Sequence, residues 1–304
     1  MQQTADDLDV PYPGLPADVI PLQYHVPMLL DQHRMDAFQQ AIAEVVRPGM
    51  HVLDLGAGTG VLACFAARQG ARVTAVEREP IVLAAARTAL AQAGAHQVTL
   101  VHADARDYVP SEPVDLVICE MMHVGQLRER QIEVIGGLKR RYRAAFGDRL
   151  PRFLPEACVQ AAQPVQQDFT FHGYAVAAPQ FQDPFADQPR TVELAGPQVF
   201  QQFFYADELP DRCAADLEFT VARPGRLNAV RIITKNVLVA HAMPPRTVDW
   251  LMNYLVVPLA APVDTQQGDR ILVRFDYRPG DQIHVLAATA QATVLPRSPG
   301  RSAG

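Results

Sequence analysis

Val52-Leu53-Asp54-Leu55-Gly56-Ala57-Gly58-Thr59-Gly60 is the stretch that decides the fold of this chain. Val52 to Leu55 read as a buried strand. Three glycines follow, which let the backbone approach a ligand without Cβ obstruction, and Val61 to Arg68 have the composition of a helix whose N-terminus faces the turn. Strand, glycine turn and helix in that order form a cradle for a nucleotide-bearing cofactor. Working outward, Val73–Val76 is a second strand ending in Glu77, a carboxylate placed for both hydroxyls of a ribose. A helical stretch covers roughly 81–93, and a third strand, Val98–His102, precedes Asp104, placed for an adenine amino group. The succession predicts an α/β, doubly wound, Rossmann-like sheet with helices on both faces.

The glycine spacing narrows the cofactor. A dinucleotide turn wants G-x-G-x-x-G with pyrophosphate on the helix N-terminus. Here the spacing is G-x-G-x-G with Asp54 two residues ahead of Gly56, which resembles the turn of S-adenosylmethionine (SAM) methyltransferases. SAM has no pyrophosphate, so the third glycine sits closer. Asp54, Gly56, Gly58, Gly60, Glu77 and Asp104 are the candidate cofactor residues.

Bulk properties exclude several classes. The 304 residues are enough for two cores, and 49% hydrophobic with 20% charged is globular composition. A net charge of −6 argues against a nucleic-acid partner. The one basic cluster, Lys139-Arg140-Arg141-Tyr142-Arg143, reads as the cationic end of a helix. Cys64, Cys119, Cys158 and Cys213 are widely spaced; three of them sit within apolar runs and read as core thiols in a reducing compartment, with no metal site expected. With neither an apolar leader nor a run of membrane-spanning length, a soluble cytoplasmic protein with no membrane partner is expected.

Residues 1–20 are acidic and proline-rich and are expected to be flexible, as is the small, polar tail 296–304. Residues 21–151 carry the α/β pattern, with a fourth strand at Val114–Ile118. From about 152 to 295 the texture changes to strand candidates separated by Pro, Gly and Asp: Cys158–Ala162, Ala215–Val221, Ala229–Ile233, Tyr254–Pro258, Ile271–Tyr277 and Gln282–Ala287. This predicts an all-β barrel domain, interrupted near 173–190 by an inserted arm.

Ligands of open α/β sheets lie beyond the carboxyl ends of the strands, so Glu120, which follows the fourth strand, emerges beside the cofactor's methyl group. The stretch Glu120-Met121-Met122-His123-Val124-Gly125-Gln126-Leu127-Arg128-Glu129 resembles the Ser-Glu-x-Met loop of protein arginine methyltransferases, in which a second glutamate lies nine residues after the first. Upstream, His25-Val26-Pro27-Met28-Leu29-Leu30-Asp31-Gln32-His33-Arg34 is similar to that family's His-Glu-Glu-Met-Leu-x-Asp-x-x-Arg, matching at His25, Met28, Leu29, Asp31 and Arg34. The resemblance runs from about Tyr24 to Ile271. It implies a SAM domain followed by a β-barrel, and a head-to-tail homodimer. It further implies that Arg34 clamps the SAM carboxylate, His25 reaches the ribose or methionine side, Met28 packs near the sulfonium, and Glu120 and Glu129 grip a guanidinium.

Two carboxylates suit that acceptor. A guanidinium is delocalised and stays protonated, so none of its nitrogens offers a good lone pair. Paired carboxylates draw the charge to one edge, and bidentate geometry fixes the line of attack. The chain also departs from the family. His123 and Val124 replace a Gly and an aromatic, and the family's Thr-His-Trp segment maps onto Val248-Asp249-Trp250. In the family that His pairs with the residue matching Asp31, so Asp249 would here face Asp31, carboxylate against carboxylate. Met122, His123, Asp249 and Trp250 are therefore candidate acceptor-pocket residues, and the extra acid favours a small guanidino compound such as free arginine over an arginine-containing peptide or protein. Two alternatives stand beside this reading: methylation of another small-metabolite nitrogen or oxygen with His123 as base, and a SAM-binding pseudoenzyme serving as an interaction module.

Overall fold

The computed structural model describes residues 20–296. The expected flexible start and tail lie, apart from Ile20 and Pro296, outside the described residues. Five parallel strands, β1 (His51–Leu55), β2 (Arg72–Glu77), β3 (Val98–His102), β4 (Leu116–Cys119) and β5 (Arg152–Leu154), form one sheet in the order β3-β2-β1-β4-β5. Around it lie α1 (Leu22–Leu30), α2 (Gln32–Val45), α3 (Val61–Arg68), α4 (Pro80–Gln92) and α5 (Gln131–Phe146). Every residue of β1 and β4 is buried, as both-faced coverage of a parallel sheet requires. Period-two alternation then divides the side chains. Leu53, Leu55, Val117 and Cys119 join one core, whereas Val52, Leu116 and Ile118 join another with α2 and α3.

β5 lies past residue 151, so the parallel sheet extends beyond the boundary expected from sequence and the texture change falls after Leu154. The second region is antiparallel. A seven-stranded sheet contains β6 (Ala157–Gln167), β9 (Gln180–Gln182), β10 (Thr191–Glu193), β11 (Gln198–Phe204), β13 (Gly225–Ala242), β14 (Pro245–Leu251) and β15 (Tyr254–Thr265). A three-stranded sheet contains β12 (Cys213–Thr220), β16 (Arg270–Tyr277) and β17 (Gln291–Val294). Between β6 and β9 sits a small hairpin, β7 (Thr170–Phe171) with β8 (Tyr174–Ala175). Both larger sheets share a core with the first face of the parallel sheet, and the segment β13–β14 supplies Leu238, Val239, Val248 and Trp250 to the second. The two regions are packed through continuous apolar layers.

Two sequence expectations are corrected here. The run Gln282–Ala287, expected as a strand, is instead helix α6 (Ile283–Thr289), because Ile283, Leu286 and Ala290 bury one side at helical spacing. The arm expected at 173–190 is interrupted by β9, whose residues pair with Tyr254–Val256 at the sheet edge. Among the described residues no helix is long and apolar enough to cross a membrane.

Candidate functional site

Register places the site. Leu55 lies opposite Val76 on one side and Cys119 on the other, so the first residue after β1, Gly56, is flanked by Glu77 and Glu120. This is the point where strand order reverses, and the cleft beyond it is where doubly wound sheets bind ligands. One pocket there is lined by Asp54, the glycine turn, Glu77, Asp104, Glu120 and Glu129, with His25, Met28 and Arg34 arriving from α1 and α2.

The cofactor end is built locally. Glu77 Oε2 accepts the Gly58 N–H at 2.9 Å and Oε1 accepts the Glu79 N–H at 2.7 Å, which ties the glycine turn to β2. Gly58 has φ +55°, and a Cβ there would stand 2.9 Å from the His25 ring, so a side chain is excluded twice over. Gly60 does a different job: it lies outside the pocket lining and lets α3 pack on Leu90 of α4. Asp104 is clamped by Arg106, with Nη2 to Oδ2 at 2.7 Å and Nε to Oδ1 at 3.1 Å, and Arg78 stands 3.5 Å away. Those hydrogen bonds hold its carboxyl down at about 2.

Asp54 is the exception among these acids. It is 2% exposed, and burial, followed in smaller measure by the neighbouring Glu120 and Glu77 charges, pushes its carboxyl up to about 7. Its Oδ2 has no hydrogen-bond partner among the described residues. An orphaned carboxylate oxygen in a pocket is chemistry that fits the ammonium of an amino-acid-bearing cofactor. His25 is shifted the other way, lowered first by burial and then by the nearby Arg34 cation.

The end of the pocket expected to take the acceptor is held from a distance. The segment from Glu120 to Arg130 crosses from β4 to α5 with Gly125, Gln126 and Arg128 at φ +73°, +56° and +59°. Two non-glycine residues in the left-handed region persist only where surroundings over-determine them. Here they do: the Gly125 N–H donates to Thr234 Oγ1 at 2.8 Å, Tyr277 O–H to the Gly125 carbonyl at 2.7 Å, the Arg128 N–H to the Asp281 carbonyl at 2.8 Å, and the Gly280 N–H to the Gln126 carbonyl at 2.7 Å. Gln131 closes the other side, accepting the Met121 N–H at 2.9 Å and donating to the Cys119 carbonyl at 2.8 Å. None of these supports was expected from sequence; the only signal was a polar residue, Gln131, at the start of an otherwise amphipathic helix.

Not every expected residue reaches the pocket. Asp31 caps α2 by accepting the Arg34 N–H at 3.0 Å and lies outside the lining. Met122 is buried with Tyr205 O–H 3.9 Å from its sulfur, and it is Met121 that lines the pocket, pressed against Gly56. His123 is buried edge-on to Phe181, its Nδ1 3.0 Å from the Val124 carbonyl. Asp249 does not face Asp31: it pairs with Lys235 at 3.0 Å and accepts the Thr247 hydroxyl at 2.7 Å. Strand alternation explains this, because Val248 and Trp250 face the core and Asp249 must face away. Trp250 lies beneath Arg34, whose guanidinium carbon is 4.9 Å from the ring centroid, and the same guanidinium donates to Glu120 Oε2. Among the described residues no group of three His, Cys, Asp or Glu is arranged to hold a metal.

Comparison with known proteins assigns the class. Residues 52–143 match the family described as "Methyltransferase domain". An "Uncharacterized protein" of Methanothermobacter thermautotrophicus is 30% identical over 267 residues, 88% of this chain and 96% of that protein. Protein arginine N-methyltransferase PRMT10 of Oryza sativa subsp. japonica is 36% identical over 117 residues, covering 38% of this chain and 31% of that protein. The fold is similar to that in the "Trypanosoma brucei PRMT1 enzyme-prozyme heterotetrameric complex with AdoHcy", with TM-score 0.66, 18% identity, and coverage of 83% of this chain and 86% of that one. The chain belongs to one family with the archaeal protein, carries a methyltransferase domain, and over most of its length has a fold like that of the trypanosomal PRMT1 structure.

Proposed function

We propose that the protein methylates a guanidino nitrogen, in a small molecule such as free arginine or in an arginine-containing peptide or protein. The observation that carries this reading is that Glu120, at the border of the cofactor turn, already holds a guanidinium, that of Arg34. A pocket wall that selects and buries this cation is chemically prepared for another, and Glu129 lines the same pocket.

Bound SAM supplies an electrophilic methyl on a sulfonium. Arg34 would hold its carboxylate, Asp54 its ammonium, Glu77 its ribose and Asp104, with Arg106 clamped on it, the adenine edge. His25 and Met28 close the pocket from α1. Glu120 and Glu129 hold two edges of the acceptor guanidinium, drawing its charge toward the carboxylates and leaving the remaining nitrogen the more nucleophilic. Lys235 neutralises Asp249 away from the pocket, which removes the reason for preferring a small compound over a peptide. His123 is buried against Phe181 and offers no base to an alternative acceptor.

The test is incubation with labelled SAM against free arginine, other guanidino compounds and an arginine–glycine peptide, with products identified by mass. Label on a guanidino nitrogen supports the reading. Transfer confined to oxygen or to non-guanidino nitrogen, or no transfer to any, would overturn it. In the resembling family the molecule is a homodimer; sedimentation of the full chain measures whether that holds here.

A further inference from the structure

Of the four arginines among the described residues that line the pocket, three meet acids that line it too: Arg34 meets Glu120, and Arg78 and Arg106 meet Asp104. Arg130 is the fourth. Its Nη1 stands 3.0 Å from Glu133 Oε2, and Glu133 is exposed and lies outside the lining. A solvent-exposed pair of this kind holds its partners weakly, and a guanidinium has five donors, so the Arg130 fork keeps most of its capacity for another anion. The turn after β16 backs it: a Cβ on Gly280 would stand 3.6 Å from Arg130 Cδ and 3.6 Å from the Glu129 carbonyl oxygen, and the Gly280 N–H donates to the Gln126 carbonyl. Arg130 is thus fixed beside Glu129, the second carboxylate of the proposed acceptor site.

We propose that Arg130 binds an α-carboxylate on the acceptor, so that the substrate class is a free guanidino amino acid such as arginine. The inference rests on the guanidino reading above and narrows it. Glu129 and Arg130 are consecutive, with Cα atoms about 3.8 Å apart. A molecule held by the first is held by the second only if it is short and carries opposite charges at its two ends. Free arginine is such a molecule, a guanidinium and a carboxylate joined by a short aliphatic stem. An arginine inside a chain is not, because its carboxyl is spent in a peptide bond and offers only a neutral carbonyl. The planar fork of Arg130 matches a carboxylate bidentately and stays charged. The carboxylate contact lies away from the reacting nitrogen and is equal in the ground and transition states, so it lowers KM and leaves kcat alone.

The full chain is assayed with SAM against four acceptors: arginine; Nα-acetylarginine, which keeps the carboxylate; argininamide, which replaces it with a neutral amide; and an end-blocked glycine–arginine–glycine peptide. Arginine and Nα-acetylarginine are expected to exceed the other two in kcat/KM by roughly 10- to 150-fold, with the difference in KM. In Arg130→Gln the ratio of arginine to argininamide should fall to about one, and in Arg130→Lys, which keeps the charge without the fork, to an intermediate value. S-adenosylhomocysteine binding by calorimetry shows whether the variants are folded, and the wild-type ratios decide the matter without them. Argininamide or the peptide methylated as well as arginine, a preference carried by kcat, or a preference that survives in Arg130→Gln would overturn the inference and leave the guanidino assignment standing. Methylation of none of the four overturns that assignment and this inference with it.

Discussion

The two ends of the pocket are held by opposite means. At the cofactor end, Asp54, Glu77 and Asp104 each follow from a strand and the turn beside it, and their partners are near in sequence: Gly58 and Glu79 for Glu77, Arg106 for Asp104. At the acceptor end, the residues from Glu120 to Glu129 depend on Thr234, Tyr277 and Asp281, more than a hundred positions downstream. The cradle is a property of the α/β unit, whereas the proposed acceptor end is held only where that unit meets the antiparallel region. Changes at one end should be separable from changes at the other.

The largest separation is expected from Glu120→Gln. It should lower kcat by about 10²–10³-fold, the scale for removing a charge-stabilising group from an active site. S-adenosylhomocysteine affinity by calorimetry should be unchanged or slightly tighter, since its carboxylate loses a competitor for Arg34. Weakened cofactor binding with normal turnover at saturation would break the division between the ends. The converse change is Glu77→Ala, which should weaken S-adenosylhomocysteine binding by about 1.5–3 kcal/mol through loss of charge-assisted hydrogen bonds. An unchanged dissociation constant would remove Glu77 from the ribose.

Asp54 gives the cofactor end a pH signature. Its folded carboxyl sits near 7, above the ordinary 3.8, so the native state binds a proton the unfolded state has released. Stability of the cofactor-free protein should fall as pH rises from about 4 through 7. The proposed contact with SAM's ammonium needs the ionised form, so on that reading cofactor affinity should fall as pH drops below about 7, approaching tenfold per unit. Asp54→Asn should abolish both trends, seen in thermal melts and calorimetry between pH 5.5 and 8. A smaller effect is expected from Tyr277→Phe. Losing the bond to the Gly125 carbonyl should cost about 1–3 kcal/mol, read as poorer acceptor turnover with cofactor affinity intact.

How much was legible in the sequence follows the same division. Val98–His102 is a strand with the bounds read from sequence, and the glycine turn and Glu77 stand where strand-turn-helix order puts them. That order is a local pattern, enforced by apolar runs and φ-positive glycines. The acceptor end was misread by single residues. Met121 and Met122 are chemically equal neighbours, and which one faces the pocket is set by a left-handed path through Gly125, Gln126 and Arg128 that no periodicity announces. Asp249 was placed by matching a motif, although the alternation Val248, Asp249, Trp250 already turned it outward. Trp250 is expected from sequence to touch the acceptor, yet it lies beneath Arg34, a contact between distant segments that only packing reveals. Gln282–Ala287 was read as a strand because a short apolar run does not separate the two periods.

Glu129, the second carboxylate, is the residue that distinguishes a guanidinium site, because Glu120 alone would serve many acceptors. The deciding measurement is turnover of Glu129→Gln on whichever guanidino acceptor wild type methylates, beside its S-adenosylhomocysteine dissociation constant. Loss of turnover comparable to Glu120→Gln with the dissociation constant unchanged is the expected result, since the pair acts as a unit on one cation. Full turnover by Glu129→Gln would contradict the two-carboxylate site.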